Sequence, residues 1–152
     1  MLNYTFKYIC TLQITMIYIT RRERFNAAHK LYREDWSTEK NMEVFGKCSN
    51  PNWHGHNYEL FVTVKGEINP KTGFLIDLRE LKNIVKTYII DKLDHKNVNL
   101  DVDFMQGKMA STEVLAVEIF NQIKPHIEAL GAYVHKIKLV ETENNFVEYQ
   151  GE

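Results

Sequence analysis

Cysteine is scarce in this chain, with two residues in 152, Cys10 and Cys48. Two cysteines in unlike surroundings build neither a disulfide framework nor a Cys-x-x-Cys zinc pair, and a reducing compartment, the cytoplasm, is expected. Proline (three residues) and glycine (seven) are too few and too scattered to form a linker. Charge of one sign is lacking as well: the formal net charge is -1, which leaves no electrostatic footprint for nucleic acid. No apolar run approaches a membrane span. The first fifteen residues lack the charged start, long apolar core and small-residue cleavage site of a signal peptide. No repeat or low-complexity tract occurs.

What remains is ordinary for a soluble globular protein: 44% hydrophobic and 26% charged residues, in a chain long enough to bury one core. Met16 directly precedes a strand-like run and offers a second start of translation. Residues 1–15 are therefore read as an extension with no assigned role, and residues 16–152 as a single domain.

Ile17 to Phe25 alternates as a half-buried strand. Residues 26–53 are polar and irregular, a length that in loops usually signals function. From His56 to Lys65, Tyr58, Leu60, Val62 and Val64 share one face, opposite Glu59, Phe61, Thr63 and Lys65. Asn69-Pro70 and Gly73 mark a turn. Asp77 with Glu80 has the form of a capping box, followed by an apolar stripe of Leu78, Leu81, Ile84, Val85, Tyr88 and Ile89. Ser111 or Thr112 caps a second helix with the stripe Leu115, Ile119, Ile123 and Ile127. Pro125 is expected to kink or shorten it, and Gly131 closes it. Strands over Tyr133–Glu141 and Phe146–Gln150 end the chain.

The order ββααββ predicts an α+β fold, with an antiparallel four-stranded sheet and both helices on one face. Apolar residues on both sides of the second strand predict that its other face is covered too, most simply by another subunit.

The chemistry concentrates in Cys48-Ser49-Asn50-Pro51-Asn52-Trp53-His54-Gly55-His56. Histidines two apart on a strand point to one face. If the neighbouring strand pairs with this one, His29 closes a His54–His56–His29 triad, the three-ligand set of a catalytic zinc. His126 and His135 have no such neighbours and are read as ordinary polar residues. Cys48 has three readings: a fourth zinc ligand, a reactive thiolate, or a small buried apolar residue. Its polar surroundings argue against the last. Asp94-His95 has the composition of an acid–base pair, although such a pair is more often a helix-end arrangement. Glu141, at a strand end, suits two parallel hydrogen bonds from a guanidine-like edge, although an exposed charge is commoner there.

Five segments, taken in order, carry a resemblance. They are Phe25-Asn26-Ala27-Ala28-His29, then Phe45-Gly46-Lys47-Cys48 with His54-Gly55-His56-Asn57-Tyr58, then Leu93-Asp94-His95-Lys96-Asn97, then Ser111-Thr112-Glu113, and Glu141-Thr142-Glu143-Asn144-Asn145. Over residues 17–152 the chain resembles the 6-pyruvoyl-tetrahydropterin synthase family. The resemblance implies the tunnelling fold (T-fold) and a homohexamer of two stacked trimers with sites at subunit interfaces. It implies Zn²⁺ on His29, His54 and His56, and 7,8-dihydroneopterin triphosphate as substrate. Cys48 would be the general base, Asp94 and His95 a second acid–base dyad, and Glu141 the pterin anchor assisted by Thr112. Arg21, Arg22 and Lys47 are candidates to line the triphosphate exit.

The sister activity, 6-carboxytetrahydropterin synthase of queuosine biosynthesis, uses the same substrate and releases acetaldehyde with triphosphate. Five residues separate Cys48 from His54 here, the spacing associated with the pyruvoyl enzyme. A sibling that makes 6-hydroxymethyl-dihydropterin carries Glu in place of the cysteine, and Cys48 argues against it. A different class, a non-catalytic zinc or pterin-binding module, predicts that Cys48 is a fourth ligand.

Overall fold

The computed structural model describes residues 16–152; the extension expected over residues 1–15 lies outside the described residues. Two 14-residue strands, β1 (Met16–His29) and β2 (His54–Glu67), form the backbone of the fold. They pair antiparallel along their whole length, from Met16 opposite Glu67 to His29 opposite His54. β4 (Tyr133–Val140) pairs antiparallel with β2 through an irregularity between Thr63 and Val64, and β5 (Phe146–Tyr149) pairs with β4. These are the four strands expected. A fifth, β3 (Lys96–Asn97), adds a two-residue parallel pairing to β1 at Ala27 and Ala28, giving the order β3-β1-β2-β4-β5.

Alternation decides which face is buried. Phe25, Ala27 and His29 of β1 point the same way as Tyr58, Leu60, Val62 and Val64 of β2, into the core. The helices α2 (Leu78–Val85) and α4 (Thr112–Glu128) cover this face with Leu81, Ile84, Leu115, Ile119, Ile123 and Ile127. Each such aliphatic side chain taken fully from water contributes roughly 1.5–3 kcal/mol. The opposite sheet face stays open in the single chain, and carries Arg22, Arg24, Glu59, Lys138 and Phe146.

Local departures from the expected pattern have physical causes. The region 26–53 is not an irregular loop: β1 runs on to His29, and α1 (Thr38–Phe45) folds within it. Ser37 caps α1 by accepting the Lys40 N–H, and buried Asn41 donates to the carbonyls of Arg33 and Ser37. After α2 the chain makes a π-helical turn, Lys86–Ile90, before α3 (Asp91–Leu93). That wider turn shifts the stripe at Tyr88, which is exposed and stacks on His126 at 3.6 Å between ring centroids; Leu78, at the start of α2, is exposed as well. Asp77 caps α2 by accepting the Arg79 N–H. Pro125 does not cut α4 short; it lies within the last turn, and the helix ends three residues later at Glu128. Among the described residues, no helix is long and apolar enough to cross a membrane.

Candidate functional site

The β1–β2 register brings the three histidines together at one end of the sheet. His29 is opposite His54 and Ala27 opposite His56, and all three imidazoles lie on the core side. Their ligand-bearing nitrogens lie within 4.8 Å of one another. Ring centroids are 4.4 Å apart for His29–His54, 5.1 Å for His29–His56 and 5.2 Å for His54–His56.

The surroundings prepare this triad for a cation. His29 Nδ1 lies 2.7 Å from the Ala110 carbonyl oxygen. A carbonyl only accepts, so Nδ1 carries the proton and Nε2 is left with a free lone pair. Burial pushes the pKa of His29 below its ordinary 6.5, against the opposing pull of the Ala110 carbonyl and Glu141. His54 and His56 are also lowered, first by burial. All three therefore favour the neutral, ligating form. His54 Nδ1 is buried without a hydrogen-bond partner among the described residues, an orphan that a metal ion would satisfy. The donor set fits a metal.

Glu141 and Thr112 stand beside the triad. Glu141 follows β4, and its N–H donates to the Asn145 carbonyl at 3.1 Å. Its carboxylate accepts the Thr112 hydroxyl at 2.6 Å and lies 3.5 Å from His29 Nε2 and 3.7 Å from His56 Nε2. Ser111 takes the capping role at α4 by accepting the Val114 N–H, which leaves the Thr112 hydroxyl free for Glu141. Tyr58, whose hydroxyl is 3.4 Å from His29 Nε2, has its pKa pushed up by burial and keeps its proton.

Cys48 lies in the single helical turn Gly46–Ser49 that follows α1. Its carbonyl accepts the Leu31 N–H at 2.9 Å, tying this turn to the chain leaving β1. The free thiol lines a cavity of about 420 Å³ shared with His29, Ser111, Thr112 and Glu141. It is not part of the cluster of ligand atoms that the histidines form.

Asp94 and His95 are elsewhere. Asp94 accepts the Asn26 N–H at 2.9 Å, and His95 N–H donates to the Asn26 carbonyl at 2.7 Å. His95 Nδ1 is 3.0 Å from Asp94 Oδ2. The hydrogen bond from the Asn26 N–H, which outweighs the opposing effect of desolvation and is helped by that with His95, holds the Asp94 carboxyl below its usual range. His95 has a positive φ of 59° and is 77% exposed, an uncommon backbone state for a residue with a Cβ. It lines a second cavity of about 610 Å³ together with Asn26, His56, Asn57 and Asn97. Within one chain, the Cys48 cavity and the His95 cavity are separate, with His56 beside both groups of residues.

Three contributors escaped the sequence pattern: the Ala110 carbonyl, the Asn26 backbone and the Tyr58 hydroxyl. The first two act through main-chain atoms, which leave no signature in residue type. Tyr58 read as core, and its polar tip was the available signal. His135 packs against the Tyr18 ring with centroids 4.7 Å apart.

Comparison with known proteins agrees with this geometry. The family described as 6-pyruvoyl tetrahydropterin synthase matches residues 18–152. The 6-pyruvoyl tetrahydrobiopterin synthase of Pongo abelii is 44% identical over 134 residues, 88% of this chain and 91% of that protein. A 6-carboxy-5,6,7,8-tetrahydropterin synthase from Haemophilus influenzae is 31% identical, covering 89% of this chain and 99% of that protein. The solved structure of Caenorhabditis elegans 6-pyruvoyl tetrahydropterin synthase superposes with a TM-score of 0.84 at 34% identity, covering 91% of this chain and 98% of that one.

Proposed function

The chain belongs to the 6-pyruvoyl tetrahydropterin synthase family, and from that premise we propose that it converts 7,8-dihydroneopterin triphosphate to 6-pyruvoyl-tetrahydropterin with loss of triphosphate. The observation that carries this reading is the cavity in which Cys48, Thr112 and Glu141 meet His29 of the histidine triad. It joins a nucleophilic thiol, a planar acceptor and metal-ligating nitrogens in one place.

His29, His54 and His56 hold Zn²⁺ in this reading. When bound, the ion supplies electrostatic polarisation of the substrate's side-chain hydroxyls. Glu141 receives the 2-amino and ring N–H edge of the pterin, with its carboxylate oriented by Thr112. Cys48 takes a proton from the activated side-chain carbon. The C–O bond to triphosphate breaks, and its electron pair leaves on the triphosphate oxygen. Asp94 fixes His95, which returns protons to the rearranging pterin. The ring gains the two hydrogens that the side chain loses, so no external oxidant or reductant enters.

His95 and the thiol line different cavities of one chain, which supports an assembly in which one subunit's His95 serves a neighbour's Cys48. The proposed assembly is a homohexamer of two trimers, and the open sheet face is the surface it would cover. Residues 16–152 act as the single catalytic domain, with residues 1–15 an extension, in the cytoplasm.

The Haemophilus influenzae relative supports a second reading, 6-carboxytetrahydropterin formation with release of acetaldehyde and triphosphate. Higher identity to the pyruvoyl enzymes favours the first. Mass spectrometry of products from the zinc-loaded protein and 7,8-dihydroneopterin triphosphate separates them. A 6-pyruvoyl product supports the first reading and a 6-carboxy product with acetaldehyde the second. Absence of turnover from an assembled, zinc-replete sample overturns both in favour of a binding module.

A further inference from the structure

Two of the cations that the sequence nominated for the departing triphosphate already have partners. Arg21 pairs with Glu23 and Arg22 with Glu59. Lys30, which directly follows the metal-ligand candidate His29, is placed differently. Its ammonium stands 4.5 Å from the centroid of the Trp53 ring and 4.6 Å from that of Tyr32. Aromatic faces orient an ammonium without neutralising it. The backbone beneath is fixed by Asn99, whose side chain accepts the Lys30 N–H at 3.1 Å and donates to the Lys30 carbonyl at 3.0 Å.

Lys30 lines a cavity of about 500 Å³ with Trp53, Arg33, Asn99 and Lys108. Arg33 is paired there with Asp35, and Lys108 with Glu118. Glu34 also lines the cavity; among the described residues neither it nor Lys30 forms an ion pair, which leaves Lys30 the one lining cation with no carboxylate within 4.0 Å. This cavity is next to the one that holds His95. Asn97 lines the His95 cavity and Asn99 the Lys30 cavity, and the Asn99 N–H donates to the Asn97 side chain at 3.0 Å.

We propose that Lys30, held between Trp53 and Tyr32, is the seat of the substrate's triphosphate on the His95 side of the sheet. The assignment rests on the proposed reaction and names the side chain that receives its leaving group. When the C–O bond breaks, the electron pair departs on a triphosphate oxygen, and the added negative charge is met by an ammonium already in position. The acid–base dyad lies alongside, where protons are returned. A lysine whose stem merely covered two rings would contribute to packing and nothing else.

The test is calorimetric titration of inorganic tripolyphosphate into the zinc-loaded protein, Lys30→Met and Lys30→Arg. Lys30→Gln serves as a second neutral variant if methionine perturbs the fold. The wild type is expected to bind, and loss of the charge to weaken binding about tenfold or more, while Lys30→Arg keeps most of it. Zinc content and melting temperature stay at wild-type values. Tripolyphosphate bound equally well by the neutral variants, or not bound by the wild type, overturns the seat. Binding through Lys30 in a protein that fails to turn over the pterin triphosphate leaves the seat standing and sinks the reaction instead. Turnover with Lys30-independent binding does the reverse.

Discussion

His29 Nδ1 lies 2.7 Å from the Ala110 carbonyl oxygen, so the segment entering α4 decides which nitrogen of a β1 residue is free to ligate. The same segment continues through Ser111, which caps the helix, to Thr112, which orients Glu141. The His29 tautomer and the Glu141 carboxylate, the proposed metal ligand and pterin anchor, are thus set by three consecutive residues.

The triad should hold metal without help from Cys48. His54→Ala or His29→Ala is expected to lose stoichiometric zinc, whereas Cys48→Ala retains it and loses about 10²-fold or more in kcat. Metal analysis beside turnover checks both. Zinc lost together with Cys48 would mark a closed structural site.

Acid should destabilise the metal-free protein earlier than carboxylate protonation would. Above the ordinary histidine pKa of 6.5 the imidazoles are neutral in folded and unfolded chains alike. As pH falls below it, the unfolded chain binds protons that the buried triad resists, so stability drops between 6.5 and the lowered folded values. The melting temperature of metal-free protein is expected to fall from pH 7.5 to 5.5, with a shallower fall in His29→Gln. A flat profile across that range contradicts the neutral triad.

Thr112→Val removes the hydroxyl that donates to Glu141 at 2.6 Å. A hydrogen bond to a charged acceptor contributes about 1.5–3 kcal/mol, so KM for the pterin substrate is expected to rise about tenfold to a hundredfold with zinc retained. Glu141→Gln should act in the same direction and more strongly. Steady-state kinetics with metal analysis checks the pair, and an unchanged KM in both removes Glu141 from pterin recognition.

The proposed sharing of sites between subunits makes a sharper prediction for the dyad. Cys48→Ala and His95→Ala are each expected to be nearly inactive. Co-expressed in equal amounts, they should regain roughly a quarter of the sites, those pairing an intact Cys48 with a neighbour's intact His95. No recovery in mixed oligomers means that both residues act from the same chain.

Much of this was legible because sheets have a strict period. Strand alternation put His54 and His56 on one face, and an antiparallel neighbour was enough to bring His29 opposite. The helix α1 was not legible: its buried position is Asn41, while Met42 and Val44 are exposed, so the usual apolar stripe is absent. Ser37 was the available cap signal. β3 escaped because two residues have no periodicity. The π-helical turn escaped because it changes the spacing that stripe reading assumes. Within the site, residue type revealed the candidate ligands, the thiol and the Asp94–His95 pair, but Ala110, which orients His29, and Asn26, which holds Asp94, act through the backbone.

The central claim is that the histidine triad holds the metal on which turnover depends. It is tested most directly by stripping the protein of metal and adding zinc back in known amounts, while pyruvoyl-pterin formation and triphosphate release are followed together. Both products should appear in step and rise with zinc to a plateau near one equivalent per chain, and neither should appear in His54→Ala. Full turnover by the metal-free protein, or by His54→Ala, would contradict the account.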